Sequence, residues 1–245
     1  MAGHRQLLQR AYVLHHHPYR DSSALVEIFS EHHGRVGLVA RGVRGRRNPR
    51  QALLQPFTPL LLSWSGRGEL MTLVDVEAEA PNAMLQGMVL MSGFYVNELL
   101  LRLLRRHDPH PQLFLYYDQL LQRLARLEGD NPPELAVALR LFEKVLLDEI
   151  GYGLALACDG LGEAIEADRF YRYSPEQGAV AVQPSEPGAI PGRALLALAA
   201  GELDGEAARA VRRLLRRALD QQLGEAPLKS RQMLLEMQRM THERD

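Results

Sequence analysis

A chain of 245 residues with 46% apolar side chains is long enough for one large domain or two small ones with proper cores. The net charge of −1 conceals an asymmetry, since residues 1–80 hold ten arginines against seven acids and the remainder is net acidic. The single cysteine, Cys158, excludes an intramolecular disulfide and a four-cysteine zinc site.

The first eighty residues read as five short strands. Gln9 to His15 alternates weakly, and Ser23 to Phe29 places Ala24, Val26 and Ile28 on its core face. After the turn Glu31-His32-His33-Gly34, Arg35 to Val39 returns as a third strand. Phe57 to Trp64 and Glu69 to Val76 complete the set, with Ser65-Gly66-Arg67-Gly68 as the turn between them. No helical period of useful length occurs before Pro81. Closure into a small barrel would remove the exposed edges, and the five-strand oligonucleotide-binding (OB) barrel is preferred over an SH3-like one.

Between the third and fourth strands lies RVGLVARGVRGRRNPR, residues 35–50. From His32 to Gly68 there is no acid, so Arg35, Arg41, Arg44, Arg46, Arg47, Arg50 and Arg67 have no local counter-charge. A Gly-rich cationic loop on a strand is suited to phosphates. The alternative is a solvated loop that keeps the chain soluble. Exposed rings for base stacking are few, with Phe29, Tyr12, Tyr19 and Trp64 as candidates, so phosphate contacts should dominate.

The character changes at Pro81, giving an expected boundary between a barrel (1–80) and a helical domain (81–245). Met84 to Leu104 is apolar almost all round and reads as the central helix of a bundle. Helices follow at Leu113–Leu127 and Pro133–Ile150, the latter with a core stripe of Leu135, Ala138, Phe142, Val145 and Leu146. Arg140, Glu143 and Lys144 fall away from that stripe. Residues 151–193, rich in Gly and Pro, read as an irregular insert with one small hairpin from Phe170–Tyr173 and Ala179–Val182. Ala194–Ala200, Glu206–Leu223 and Lys229–Met240 are helical again. The second of these displays Arg209, Arg212, Arg213, Arg216 and Arg217, read as a solvated face with DNA contact as the alternative.

No phosphate-loop, dinucleotide or nucleophile-elbow pattern is present. His15-His16-His17, His32-His33 and His107 with His110 lack a carboxylate partner set, so no metal is expected. Cys158 reads as a small packed side chain. No cofactor and no enzymatic activity are expected. The N-terminal HRQLLQRAYVL is no signal peptide, and Met84–Leu104 is too interrupted to span a membrane, so a cytoplasmic location is expected.

Several blocks carry a resemblance: AYVLHHHPYRDSSALVEIFSEHHGRVGLVARGVRG, LQPFTPLLLSWSGRGEL, MSGFYVNELLLRLL, LRLFEKVLLDEIGYG and LGEAPLKSRQMLL. In order, from about Tyr12 to Leu235, they resemble the bacterial RecO family of DNA repair and recombination mediators. The resemblance implies an N-terminal OB-fold followed by a helical domain. It also implies binding to single- and double-stranded DNA, strand annealing and, with RecR, help to RecA in displacing single-strand-binding protein. Many family members carry a four-cysteine zinc module where this chain has Gly153 to Val182, and only Cys158 stands there, so the chain resembles the zinc-less branch. LRLFEKVLLDEIGYG resembles the segment that grips the acidic tail of single-strand-binding protein. That implies Arg140 as partner of the tail carboxylate and Tyr117 and Leu121 as candidate pocket walls, with Leu141 standing where some relatives are basic. The competing function is a protein-interaction adaptor whose barrel docks a protein instead of DNA.

Overall fold

Five strands, β1 (His4–Tyr19), β2 (Ser23–Ser30), β3 (Gly34–Ala40), β4 (Leu60–Gly66) and β5 (Leu70–Ala78), close into a barrel in the order β1-β2-β3-β5-β4. The structure is a computed structural model and describes residues 4–44, 48–127, 132–174, 177–233 and 236. All neighbours are antiparallel except β3 and β5, which run parallel with Gly37 opposite Leu70. The OB-like architecture expected from the strand pattern is therefore the one observed. Ala24, Val26 and Ile28 point inward as read from sequence, joined by Val13, Val36, Leu38, Leu60, Leu62 and Trp64.

β1 spans two walls of the barrel, pairing with β4 at its start and with β2 at its end. Its length forces two irregularities, and each freed backbone group finds a side chain. Between Gln6 and Gln9 the register shifts, Leu8 takes φ 47°, and its N–H donates to Ser63 Oγ at 3.1 Å. Between Val13 and His15 a second shift drops Leu14 out of the β2 ladder. Its carbonyl accepts from Asn97 Nδ2 at 3.1 Å, and Asn97 Oδ1 accepts from the Tyr117 hydroxyl at 2.6 Å.

Those partners come from two helices, α2 (Gly87–Leu103) and α3 (Pro111–Arg126), which form one compact unit with the barrel. Tyr12 and Phe29 are direct cross-strand partners on the outer barrel face, and α3 covers them with Phe114 and Tyr117. Ring centroids lie 5.2–6.1 Å apart in tilted and edge arrangements. Burying such side chains stabilises by about 1.5–3 kcal/mol each. α2 is thus a helix laid on a barrel wall, not the centre of a helical bundle. Tyr12, Phe29 and Trp64 are buried and offer no stacking surface, while Tyr19 is half-buried.

A second compact unit comprises residues 126–227, after which the chain returns to the first at residue 228. It contains α4 (Pro132–Glu149), a sheet ordered β7 (Gly178–Val182), β6 (Phe170–Ser174), β8 (Ile190–Pro191), then α5 (Gly192–Ala200) and α6 (Gly205–Leu223). The hairpin expected in the irregular stretch is the β6–β7 pair. Asp204 caps α6, its Oδ1 accepting from Ala207 N at 2.7 Å. Two expectations fail here. Glu143 is 1% exposed and the Arg140 side chain 11%, so neither lies on the outer face of α4, and Arg140 Nη2 at 2.7 Å makes the burial of Glu143 tolerable. Cys158 is exposed, lying in a bridge with Ala164 instead of a core.

Candidate nucleic-acid interface

The loop leaving β3 at Ala40 is pinned at its base. Val43 is buried in the barrel core, and Gly42 takes φ 66°, which turns the chain outward. Arg44 N donates to Ser22 O at 3.0 Å and its Nη1 to Arg20 O at 3.0 Å, so the loop is stitched to the β1–β2 turn. At the far side Asn48 Nδ2 donates to Gly42 O at 2.6 Å while its Oδ1 accepts from Arg50 N at 2.9 Å. That last bond caps α1 (Pro49–Leu53), a five-residue helix too short to show a period in the sequence.

Among the described residues, Arg35, Arg41, Arg44, Arg50 and Arg67 do not form one cluster. Arg41 and Arg44 are exposed at the loop, and Arg41 has no hydrogen bond or ion pair among the described residues. Arg46 and Arg47 lie outside the described residues. Arg50 is exposed but meets Asp75 of β5 at 3.1 Å. Arg67 is exposed on the β4–β5 turn. Because β5 starts opposite Gly37, that turn lies toward the start of β3, away from the loop at its end.

Arg35 departs furthest from expectation. Its Nη1 donates to Leu101 O, its Nε lies 3.8 Å from Glu27, and Arg106 shares the same Glu27 carboxylate. Burial lowers the affinity of Arg35 for its proton, and Glu27 makes up only part of that loss. Arg35 is a structural group whose side chain ties β3 to the last turn of α2 and whose carbonyl accepts from His107 N in the segment that follows. The counter-charges missing from the local sequence arrive from neighbouring strands: Glu27 from β2 and Asp75 from β5.

Arg20 is the functional candidate that sequence reasoning missed. It is exposed beside the loop base, and its guanidinium stacks 5.1 Å from the Tyr19 ring centroid. The signal was its place in a turn, which only the stitching of Arg44 brings to the loop. Next to Arg44 opens a cleft of about 160 Å³ with an apolar floor of Ala24, Val26, Val43 and Leu54, rimmed by His16 and Gln51.

Tyr117 and Leu121 are buried in the first unit, with burial raising the Tyr117 hydroxyl well above its ordinary value. Neither is available as a pocket wall. Arg140 sits on α4 of the second unit, its Nη2 on Glu143 and its Nε without a hydrogen-bond partner among the described residues. No group of three or more His, Cys, Asp and Glu side chains among the described residues is placed to hold a metal ion. Among the same residues, no helix is long and apolar enough to cross a membrane.

A closed five-strand barrel with a pinned cationic loop, two helices on its outer wall and a further helical unit defines an OB-type barrel protein with a helical appendage. The family described as Recombination protein O N terminal matches residues 1–81, and Recombination protein O C terminal matches residues 86–232. The chain is 47% identical to DNA repair protein RecO of Alkalilimnicola ehrlichii, covering 98% of this chain and 95% of that one. It is 48% identical to DNA repair protein RecO of Nitrosococcus oceani over 96% of each chain. For the Haemophilus influenzae protein of the same name, identity is 43%, over 92% of this chain and 94% of the relative. The chain belongs to the RecO family of DNA repair proteins.

Proposed function

We propose that this chain is a non-catalytic mediator of recombinational repair that binds single- and double-stranded DNA through the loop after β3 and anneals complementary strands. Arg41 and Arg44, with Arg20 beside them and Arg46 and Arg47 further along the loop, are the phosphate contacts. The cleft next to Arg44 takes the edge of an unstacked base, since it joins an apolar floor to a polar rim. Neutralising phosphates on two strands lowers their mutual repulsion enough for pairing to begin. The single observation that supports this reading is the pinned loop base, where Arg44 is held by Ser22 and Arg20 and the exposed Arg41 has no hydrogen bond or ion pair among the described residues, so less chain entropy is lost there on binding.

RecR, the acidic tail of single-strand-binding protein and, indirectly, RecA belong to the same proposal. The tail's carboxylate would meet Arg140 in competition with Glu143, so its grip is expected to be modest. The adaptor reading keeps one observation in its favour: an apolar groove lined by Phe57, Met84, Leu85, Leu90 and Phe94, with Met84 and Phe94 exposed.

Replacing Arg44, Arg46 and Arg47 together by Ala tests the first reading. Binding of a labelled oligonucleotide and the annealing rate should both fall, and the salt slope of binding should shrink by about 0.7 per lost phosphate contact on single strands. Annealing at the undiminished rate would remove the loop from the site. Absence of salt-dependent binding to naked oligonucleotides would favour the adaptor.

A further inference from the structure

α6 carries Arg209, Arg212, Arg213, Arg216 and Arg217 at i, i+3, i+4, i+7 and i+8, one face of a helix, and all five are exposed. Its other face buries Ala208, Val211, Leu214, Leu215, Ala218 and Leu219. Arg209 Nε donates to Gly205 O at 2.9 Å, and Arg216 lies 3.5 Å from Asp220. Arg212, Arg213 and Arg217 have no hydrogen bond or ion pair among the described residues.

A helix that uses charge only for solubility mixes the two signs along its exposed face. Here the acids within α6 stand at its ends, Glu206 engaged by Arg193 at 2.8 Å and Asp220 by Arg216. The middle stacks like charges at i, i+4: Arg209 on Arg213, Arg212 on Arg216, Arg213 on Arg217. Each such pair destabilises the helix, and an external polyanion turns that repulsion into attraction. The rows climb the axis in steps of about 6 Å, so the face is a line of guanidinium forks suited to a line of phosphates.

We infer that the arginine face of α6 is a second binding surface for the nucleic-acid backbone, separate from the barrel loop and indifferent to base sequence. It extends the nucleic-acid reading to the second unit, while its geometry uses nothing of the loop.

The test uses the full chain carrying Arg212→Ala, Arg213→Ala and Arg217→Ala, titrated with fluorescent oligothymidylate at several salt concentrations. The magnitude of the salt slope should fall by about 2, three contacts at about 0.7 each, with at least a tenfold loss of affinity at low salt. The melting temperature should hold or rise as the like-charge rows are relieved. An Arg41→Ala, Arg44→Ala variant run in parallel separates the two surfaces: normal binding there with loss in the α6 variant sinks the barrel reading and sustains this one. An unchanged slope in a folded α6 variant overturns the inference. So does intact oligonucleotide binding with lost binding of a polyglutamate peptide, which would assign the face to an acidic protein segment. Should the triple variant fail to fold, hydrogen exchange across α6 in the unmodified chain decides. Slowing on addition of the oligonucleotide is expected, and its absence overturns the proposal.

Discussion

Asn97 joins three pieces of the first unit with one amide. It serves the carbonyl that the second irregularity in β1 releases, and it accepts the hydroxyl of a Tyr117 with no access to water. A buried polar group left unsatisfied costs about 1–3 kcal/mol, and Asn97→Ala strands two of them. Urea unfolding should report a loss of about 2–4 kcal/mol for Asn97→Ala, and about 1 kcal/mol for Tyr117→Phe, which removes one bond and keeps the ring. Equal midpoints for the Asn97 variant and the parent would mean that Leu14 is satisfied elsewhere. Gly34 is a second such position. Its φ is 62°, and a Cβ there would fall 2.0 Å from the Asp108 carbonyl oxygen. Gly34→Ala should destabilise by more than ~1 kcal/mol, because the positive φ is itself unfavourable and the backbone must also part. Loss of amide protection at His107, whose N–H donates to Arg35 O at 3.0 Å, is the accompanying signature.

Among the elements, the short helical stretch at residues 229–233 depends on a carboxylate from α2. Glu98 accepts from Lys229 N at 2.9 Å and from Ser230 through both its N–H, at 2.8 Å, and its hydroxyl, at 2.6 Å. It is the N-terminal cap of a helix, delivered from a distant part of the chain. Burial opposes its charge, but the Ser230 and Lys229 bonds outweigh burial and hold the carboxyl below its ordinary range. A depressed carboxylate stabilises fully above its unfolded value, about 4.3, and loses that contribution as pH falls through the lower folded value. Amide protection at Lys229 and Ser230 should therefore hold at neutral pH and decay in acid. In Glu98→Ala it should be low at every pH. A variant with the parent's protection at pH 7 would show the cap to be idle. The histidines offer a contrast: burial and the neighbouring His17 and His16 push His15 down, and its ring lies 6.0 Å from His17 on the exposed end of β1.

For the molecule as a whole, the barrel was legible because its five strands alternate and its turns carry Gly. Helix faces in the later part were legible for the same periodic reason, down to the arginine row of α6. What could not be read was pairing between distant segments. Arg35 and Arg50 look uncompensated along the chain, yet Glu27 of β2 meets Arg35 across the sheet and Asp75 of β5 meets Arg50 of α1. Tyr12 and Phe29 look like exposed rings on alternating strands, and a sequence cannot say that α3 will lie over that outer wall. Glu143 looks solvated from periodicity alone, because its partner Arg140 makes burial tolerable only once both are placed. The compact units group α2 and α3 with the barrel, while the two family matches divide the chain at residues 81 and 86, beside the change of composition at Pro81.

The return of residues 228–233 to the barrel side sets an order on synthesis. Translation delivers the amino-terminal portion first, so strands and both covering helices leave the ribosome while Glu98 still awaits its amide donors. Everything from 126 to 227 must be polymerised before that vacancy is filled. The earliest-made body is consequently the last to be finished, and a stalled or clipped product would present a barrel that is formed but unlatched.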